Sequence, residues 1–348
     1  MSKTFTVLLS LSTSFAAAGT VAAQGAPPPA PELKKYEILA GAFTGEGIVR
    51  DAPGGEAMPW TSTSTGQWTL GGHVLEERMN VVVGGGAMVI QFQSFFGWDG
   101  ETGRHVNLGV SNIGPVELQP VHFLSDREFS IAATRSENGE RVSDTGVYKF
   151  GKDGYEFSMQ RVDAHGRAFE HVRGTFKRSK TAAASATTDA SFVGEAAGEL
   201  GKLSRMLGTW SLSGKMIPAP GAPTMNISGT ETEKLGYGGN VIIGHVLGDA
   251  IPGMGPAYEA WGFTTWDPDA KTYAYGHVSN MGEIGLVRGV LVGDDQVVFT
   301  ASTPFMGQPA AVRTTMTFTA DGLTWASDKM IGTAPTVRDF EATYTRKK

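Results

Sequence analysis

Apolar and polar residues follow two rhythms along this chain, and the second one dominates. Short stretches with apolar residues at helical spacing come first in each half. They are Leu33, Tyr36 and Leu39, then Leu200, Leu203 and Leu207. A glycine breaks each stretch, at Gly41 and Gly208, and an aromatic follows two residues later, Phe43 or Trp210. From there the pattern changes to apolar–polar alternation rich in Val, Thr, Phe and Tyr. Turn signals punctuate it at Asp99-Gly100, Asn138-Gly139, Asp153-Gly154, Asp267-Pro268 and Asp321-Gly322. With strands of typical length, about eight to ten fit into each half. Sequential antiparallel strands behind one short helix predict an up-and-down barrel, because closure removes exposed edges. The expected class is all-β, with two tandem antiparallel up-and-down barrels, each preceded by a short helix.

The halves are read from an internal repeat. Val110-Ser111-Asn112-Ile113-Gly114 returns as Val278-Ser279-Asn280-Met281-Gly282. Gly71-Gly72 returns as Gly238-Gly239, and Trp98-Asp99 as Trp266-Asp267. Thr175-Phe176-Lys177-Arg178 closes one copy and Thr343-Tyr344-Thr345-Arg346 the other. An offset this constant indicates duplication of a whole domain, not a short solenoid repeat. The expected boundaries are a signal peptide at 1–23, a Pro-rich spacer at 24–31, barrels at 32–180 and 191–348, and a linker at 181–190.

Composition narrows the setting. The 47 glycines among 348 residues suit many tight turns better than helix bundles. Net charge is −6 with no basic patch, so nucleic acid is not an expected partner. Residues 1–23 have a lysine, an apolar stretch diluted by Ser and Thr, and Val21-Ala22-Ala23 before Gln24, the pattern of a cleavable secretory signal. The mature chain is therefore expected to be periplasmic or secreted after cleavage near Ala23. No later stretch reaches the apolar length of a membrane span. Cysteine is absent, which removes disulfides, thiolate metal sites and Cys nucleophiles together.

One set of motifs resembles a known family. Met206-Leu207-Gly208-Thr209-Trp210, Gly238-Gly239, Thr265-Trp266-Asp267, Gly307-Gln308-Pro309 and Tyr344-Thr345-Arg346 resemble the bacterial domain-of-unknown-function 1579 family, DUF1579. The first half is a more divergent relative, with Phe43 where the motif has Trp. The resemblance implies a calycin-type barrel, similar in shape to lipocalins, fatty-acid-binding proteins and nitrobindins. It implies no activity.

Strand parity sorts candidate site residues, since successive side chains point to opposite faces. One row holds Val106, Leu108, Val110 and Asn112, and Ala274, Gly276, Val278 and Asn280. The other holds His105, Asn107, Gly109 and Ser111, and Tyr273, Tyr275, His277 and Ser279. The small apolar row is expected in the lumen, so each lumen row would end in an Asn. That Asn either binds backbone at a Ser-Asn-x-Gly turn or meets the polar end of a ligand. On the closing strand, Val172, Gly174 and Phe176, and Phe340, Ala342 and Tyr344, share the inner parity, with Glu170 and Arg338 at the equivalent inner position. Glu231 and Glu233 share parity with Ile227 and Leu235. An inward Arg338 would pair with either carboxylate or bind a ligand carboxylate. Trp210 would stack on a ligand or fill the core.

Specific chemistries find little support. The seven His show no metal-ligand spacing, so no metal is expected. No nucleophile elbow or phosphate loop is present. Gly41 to Gly47 looks like the opening strand of nitrobindins, which hold haem through a late-strand His. Here His171 is the candidate, and its parity points it outward unless a one-residue bulge inverts it. Three readings of function follow. The first is binding of a small apolar molecule in a barrel lumen, without a cofactor. The second is an isomerase, hydratase or hydrolase acting on a lipid-like substrate through an inward Glu as general acid or base. The third is a cell-envelope interaction module presenting Tyr273, Tyr275 and His277 on its surface.

Overall fold

The structure, a computed structural model, describes residues 27–137, 139–180, 194–217, 222–250, 256–305 and 308–347. The signal segment 1–23, the linker 181–190, most of the Ile251–Pro256 loop and Gly307 of the Gly-Gln-Pro motif lie outside the described residues.

The N-terminal half contains ten strands: β1 (Gly41–Val49), β2 (Met58–Thr69), β3 (Val74–Val83), β4 (Met88–Asp99), β5 (Arg104–Ser111), β6 (Glu117–Ser125), β7 (Glu128–Glu137), β8 (Glu140–Phe150), β9 (Gly154–Val162) and β10 (Ala168–Ser179). The C-terminal half repeats the count: β11 (Gly208–Met216), β12 (Met225–Gly236), β13 (Val241–Gly248), β14 (Glu259–Asp267), β15 (Thr272–Ser279), β16 (Ile284–Val292), β17 (Gln296–Phe305), β18 (Gln308–Phe318), β19 (Gly322–Ile331) and β20 (Val337–Arg346). Each strand pairs antiparallel with the next, and β1 with β10 and β11 with β20 close two separate barrels. The strand count sits at the upper end of the sequence-based expectation. Among the described residues no helix is long and apolar enough to cross a membrane, which says nothing about strands.

Each barrel is stoppered at one end by the segment that precedes it. Pro31–Leu39 and Gly198–Met206 are 3₁₀ helices. Their period of three places Leu33, Tyr36 and Leu39 on one buried face, and Leu200, Leu203 and Met206 on the other. Met206 thus takes the place expected for Leu207, because a 3₁₀ turn is tighter than an α turn. Tyr36 packs on the lumen rings of Phe96 and His105, each 5.2 Å away. The last arginine of each barrel ties the stopper down. Arg346 stacks on Trp210 at 4.2 Å and donates to the carbonyls of Arg205 and Leu207. Arg178 does the same over Phe43 and to the carbonyls of Ile38 and Ala40. Trp210 Nε1 donates to the Met206 carbonyl at 2.7 Å, so this ring belongs to the barrel end.

Two expectations are overturned. The inward row of β15 is Tyr273, Tyr275, His277 and Ser279, not the small apolar row. The Tyr275 ring lies 5.9 Å from Phe299 and 5.8 Å from Trp325, both on other strands of the same lumen. On β5 the inward residues are likewise His105 and Asn107, with His105 against Phe123 at 4.8 Å. The opposite rows are buried as well: Leu108, Val110, Ala274 and Val278 are all almost inaccessible. With both faces buried, apolar character alone cannot distinguish inside from outside. The surface patch of Tyr273, Tyr275 and His277 therefore does not exist.

The second correction concerns the closing strands. Registers shift between Glu170 and Val172 on β10, and opposite Ser327 and Asp328 on β20, leaving His171 and Asp339 as the extra residues. A bulge at the corresponding place in both barrels turns these side chains across the wall. His171 acquires Arg50 carbonyl, Asp144 and Arg161 as neighbours, and Asp339 pairs with the buried Lys329 at 2.7 Å. Arg338 is released outward onto Asp328 at 2.6 Å.

Trp210→Phe keeps an aromatic face under Arg346 but loses the buried hydrogen bond and part of the indole volume. The chain should lose about 2–4 kcal/mol of stability, read from the urea midpoint at constant slope.

Candidate functional site

The chemistry of the C-terminal barrel is concentrated on β12 and the strands facing it. Glu231 and Glu233 both project inward, as expected. In-register pairing carries the Glu233 row through Gly244 and Gly262 to His277. The two glycines make the room. A Cβ on Gly244 would sit 2.8 Å from a Glu233 carboxyl oxygen, and one on Gly262 2.8 Å from the Tyr275 hydroxyl. The Glu233 carboxyl is buried, and Glu231 hydrogen-bonds both Glu233 and Tyr344.

Two carboxyls this deep cannot both ionise. Burial is the main force raising both, and the charge of Glu231 pushes Glu233 further, well above the ordinary carboxyl range. Glu231 rises less, because Glu233 and the Tyr344 hydroxyl both hydrogen-bond it. Such a pair is set to share one proton, which Glu233 holds the more tightly.

Several neighbours keep unused hydrogen-bonding capacity. His277 is buried, and neither Nδ1 nor Nε2 has a partner. Burial lowers its pKa to about 4, so the ring is neutral. Thr314 Oγ1 and Trp325 Nε1, on the inner rows of β18 and β19, are also unpartnered. Tyr258 and Ser279 both donate to Glu283 Oε2, at 3.3 and 3.0 Å. Meanwhile Met216, Ile227, Glu231, Val246 and Tyr275 point inward yet are only half-buried. The lumen wall therefore retains accessible surface next to buried polar atoms that lack partners.

The N-terminal lumen holds a corresponding centre built from opposite residues. Gly66 on β2 pairs with Glu77 on β3, whereas at the same place in the other barrel Glu233 on β12 pairs with Gly244 on β13. Tyr155 on β9 pairs with Phe176 on β10, whereas Leu323 on β19 pairs with Tyr344 on β20. Carboxyl and phenol have each changed strand while keeping their place in the lumen. Glu77 is fully enclosed, and burial raises it to about 7 against the weaker opposing influence of the Ser64 and Tyr155 hydroxyls. Glu77 Oε1, Ser62 Oγ, Ser64 Oγ and Tyr155 Oη all lack a close partner. The two hydroxyls thus face the carboxyl without closing good hydrogen bonds.

The remaining expected site residues are drawn elsewhere. Asn112 accepts from Gln91 N and donates to the Val89 carbonyl; Asn280 accepts from Glu259 N and donates to the Ala257 carbonyl. Both carboxamides hold a turn to the neighbouring strand. Glu170 was expected on the inner row, but the β10 bulge turns it outward, between Arg50 and Arg173 at 3.6 and 3.7 Å. The expected Arg338 pairing with Glu231 or Glu233 does not form, because the β20 bulge sends Arg338 outward. Sequence reasoning passed over Glu77, although its alternation with Leu75 and Met79 marks it as inward. His277 and Tyr275 were assigned to the wrong face. Tyr258 and Glu283 carry no signal of their own in the sequence.

Glu77 makes stability depend on pH. Its pKa is higher folded than the ordinary 4.5, so its contribution is full below about pH 4.5 and is lost as pH rises through about 7. Removing the ionisation with Glu77→Gln should leave the variant gaining on the parent by about 3 kcal/mol from pH 4.5 to 8. Urea unfolding at both pH values reads the difference, and a constant difference would refute it.

Comparison with known proteins matches one half to a family. Residues 197–346 match the sequence profile of DUF1579, described as a protein of unknown function. No curated protein sequence matches the chain. Among solved structures, the chain is similar to a protein of unknown function from the DUF3598 family of Nostoc punctiforme, at 11% identity and a TM-score of 0.27, covering 91% of this chain and 100% of that one. It is also similar to kievitone hydratase from Nectria haematococca, at 8% identity and a TM-score of 0.17, covering 97% and 98%. The C-terminal barrel, with its motifs from Gly208 to Arg346, is thus the part of the chain that is similar to the DUF1579 family.

Proposed function

We propose that the C-terminal barrel binds a small, largely apolar molecule in its lumen, with its polar end at Glu231 and Glu233. One observation carries this reading. Buried atoms with no partner, on His277, Thr314 and Trp325, lie in a lumen whose wall keeps accessible surface. Buried polar groups in folded proteins almost always have partners, so open ones call for an occupant. Apolar walls with a few convergent polar groups are the usual form of a small-molecule site. The N-terminal lumen, with Glu77, Ser64 and Tyr155, supports the same reading for a second site.

A second reading is supported by the proton shared between the carboxyls. Glu233 is placed to give a proton and Glu231 to take one, the pairing that general acid–base chemistry uses. A bound molecule recovered with changed mass or changed chromatographic retention after incubation would favour this reading; recovery unchanged in both would favour binding alone.

Titration with the neutral fluorophore N-phenyl-1-naphthylamine tests lumen binding. Saturable enhancement is expected from the full chain. Ile227→Trp, which places a large ring on the half-buried inner row, should weaken it by about tenfold or more. Equal binding by the variant would move the site elsewhere, and no saturable binding would refute the reading.

Export belongs to the same proposal, resting on the small-residue site before Gln24. N-terminal sequencing of protein from its own host should begin at Gln24; a retained residue 1–23 segment would refute it.

A further inference from the structure

We propose that the molecule recognised in the C-terminal lumen is a protonated amine on an aromatic or aliphatic body, its ammonium seated on Glu231 and Glu233. This rests on the lumen-binding reading above. The argument begins with charge. A carboxyl pair that shares one proton carries one negative charge. The groups facing the pair are Tyr344 from β20 and Tyr275 from β15, with Glu283 acting on Tyr275 from beyond. None of these is a cation. The inward Lys329 is engaged by Asp339, Arg338 by Asp328, and Arg346 lies on Trp210 at the stoppered end. Among the described residues, no Lys or Arg acts on the pair. His277, on the row of Glu233, is neutral and supplies no charge to the pair.

A buried charge without a partner is expensive, and an incoming monocation offsets that cost, while an anion adds to it. The walls suit the rest of such a ligand. Tyr275, Phe299 and Trp325 present aromatic rings, with Phe299 and Trp325 stacked at 6.1 Å. Ring faces attract cations most strongly where water is excluded. Gly244 and Gly262 hold open the floor over which Glu233 and Tyr275 lie. The unpartnered nitrogens of His277, on the same cross-strand row as Glu233, leave hydrogen-bonding capacity beside the carboxyls for an occupant.

The other barrel supports the inference independently. Glu77 is surrounded by Ser64, Tyr155 and Tyr148, and among the described residues no Lys or Arg acts on it. Phe43, Trp60 and Phe176 complete an aromatic lining, with Tyr155 and Phe176 stacked at 4.3 Å. A lumen carboxyl without a counter-cation, among aromatic rings, thus recurs although the residue that supplies it lies on a different strand.

Calorimetric titration with tryptamine and tryptophol tests the class, because the two share one body and differ only in amine against hydroxyl. The parent and the variant below both carry Glu77→Gln, so that a preference for amine over hydroxyl reports on the C-terminal carboxyls alone. Tryptamine should bind about tenfold or more tighter than tryptophol near pH 7.5. The advantage should shrink as pH falls and the pair takes up its second proton, while tryptophol changes little. Adding E231Q/E233Q should remove the advantage and leave tryptophol binding. If that variant does not fold, the pH dependence of the parent decides: a flat advantage overturns the proposal. Equal or tighter tryptophol binding overturns the amine class and leaves the lumen reading intact. Failure of both, together with failure of N-phenyl-1-naphthylamine, removes the lumen reading itself.

Discussion

Closure of each sheet is the constraint from which everything else follows. Ten strands paired edge to edge leave no free edge, and alternation then sends every second side chain into the lumen whatever its chemistry. The 3₁₀ stopper seals one end, and a terminal arginine clamps it through an aromatic ring and two carbonyls. Residues enclosed this way cannot return to water without breaking the wall. Any carboxyl on an inner row must therefore keep a proton, find a cation or receive one from a ligand.

That constraint gives the strand exchanges between the barrels their meaning. At one cross-strand pair the acid is Glu77 facing Gly66; at the corresponding pair it is Glu233 facing Gly244. At another, the phenol is Tyr155 facing Phe176, or Tyr344 facing Leu323. Gly244 leaves space for the Glu233 carboxyl, whereas a Cβ on Gly66 would strike the Leu39 carbonyl of the stopper, so the two glycines clear room for different neighbours. A carboxyl retained only by drift would have no reason to keep its place in the lumen while changing its strand.

Much of the architecture is legible in the sequence. Glycine breaks, turn dipeptides and long alternation mark the strands, and the internal repeat marks the two halves. The inner rows of the closing strands, with Phe176, Phe340, Ala342 and Tyr344, follow from alternation as read. Alternation fails where burial is two-sided: β5 and β15 have apolar residues on both rows, so nothing in their composition tells lumen from exterior. It fails again at the bulges, where one extra residue, His171 or Asp339, reverses parity for everything beyond it. Arg338 and His171 were misplaced for that reason alone. Glu231 and Glu233 were legible because β12 is regular over its whole length.

The central claim is that burial, with no cation alongside, raises the Glu77 and Glu233 carboxyls above the ordinary range. Carbon NMR of glutamate side chains labelled at the carboxyl carbon observes this directly, through the pH titration of each resonance. The account predicts that resonances lost in Glu233→Gln and Glu77→Gln titrate well above the ordinary carboxyl range. Glutamates that all titrate near ordinary values would contradict it.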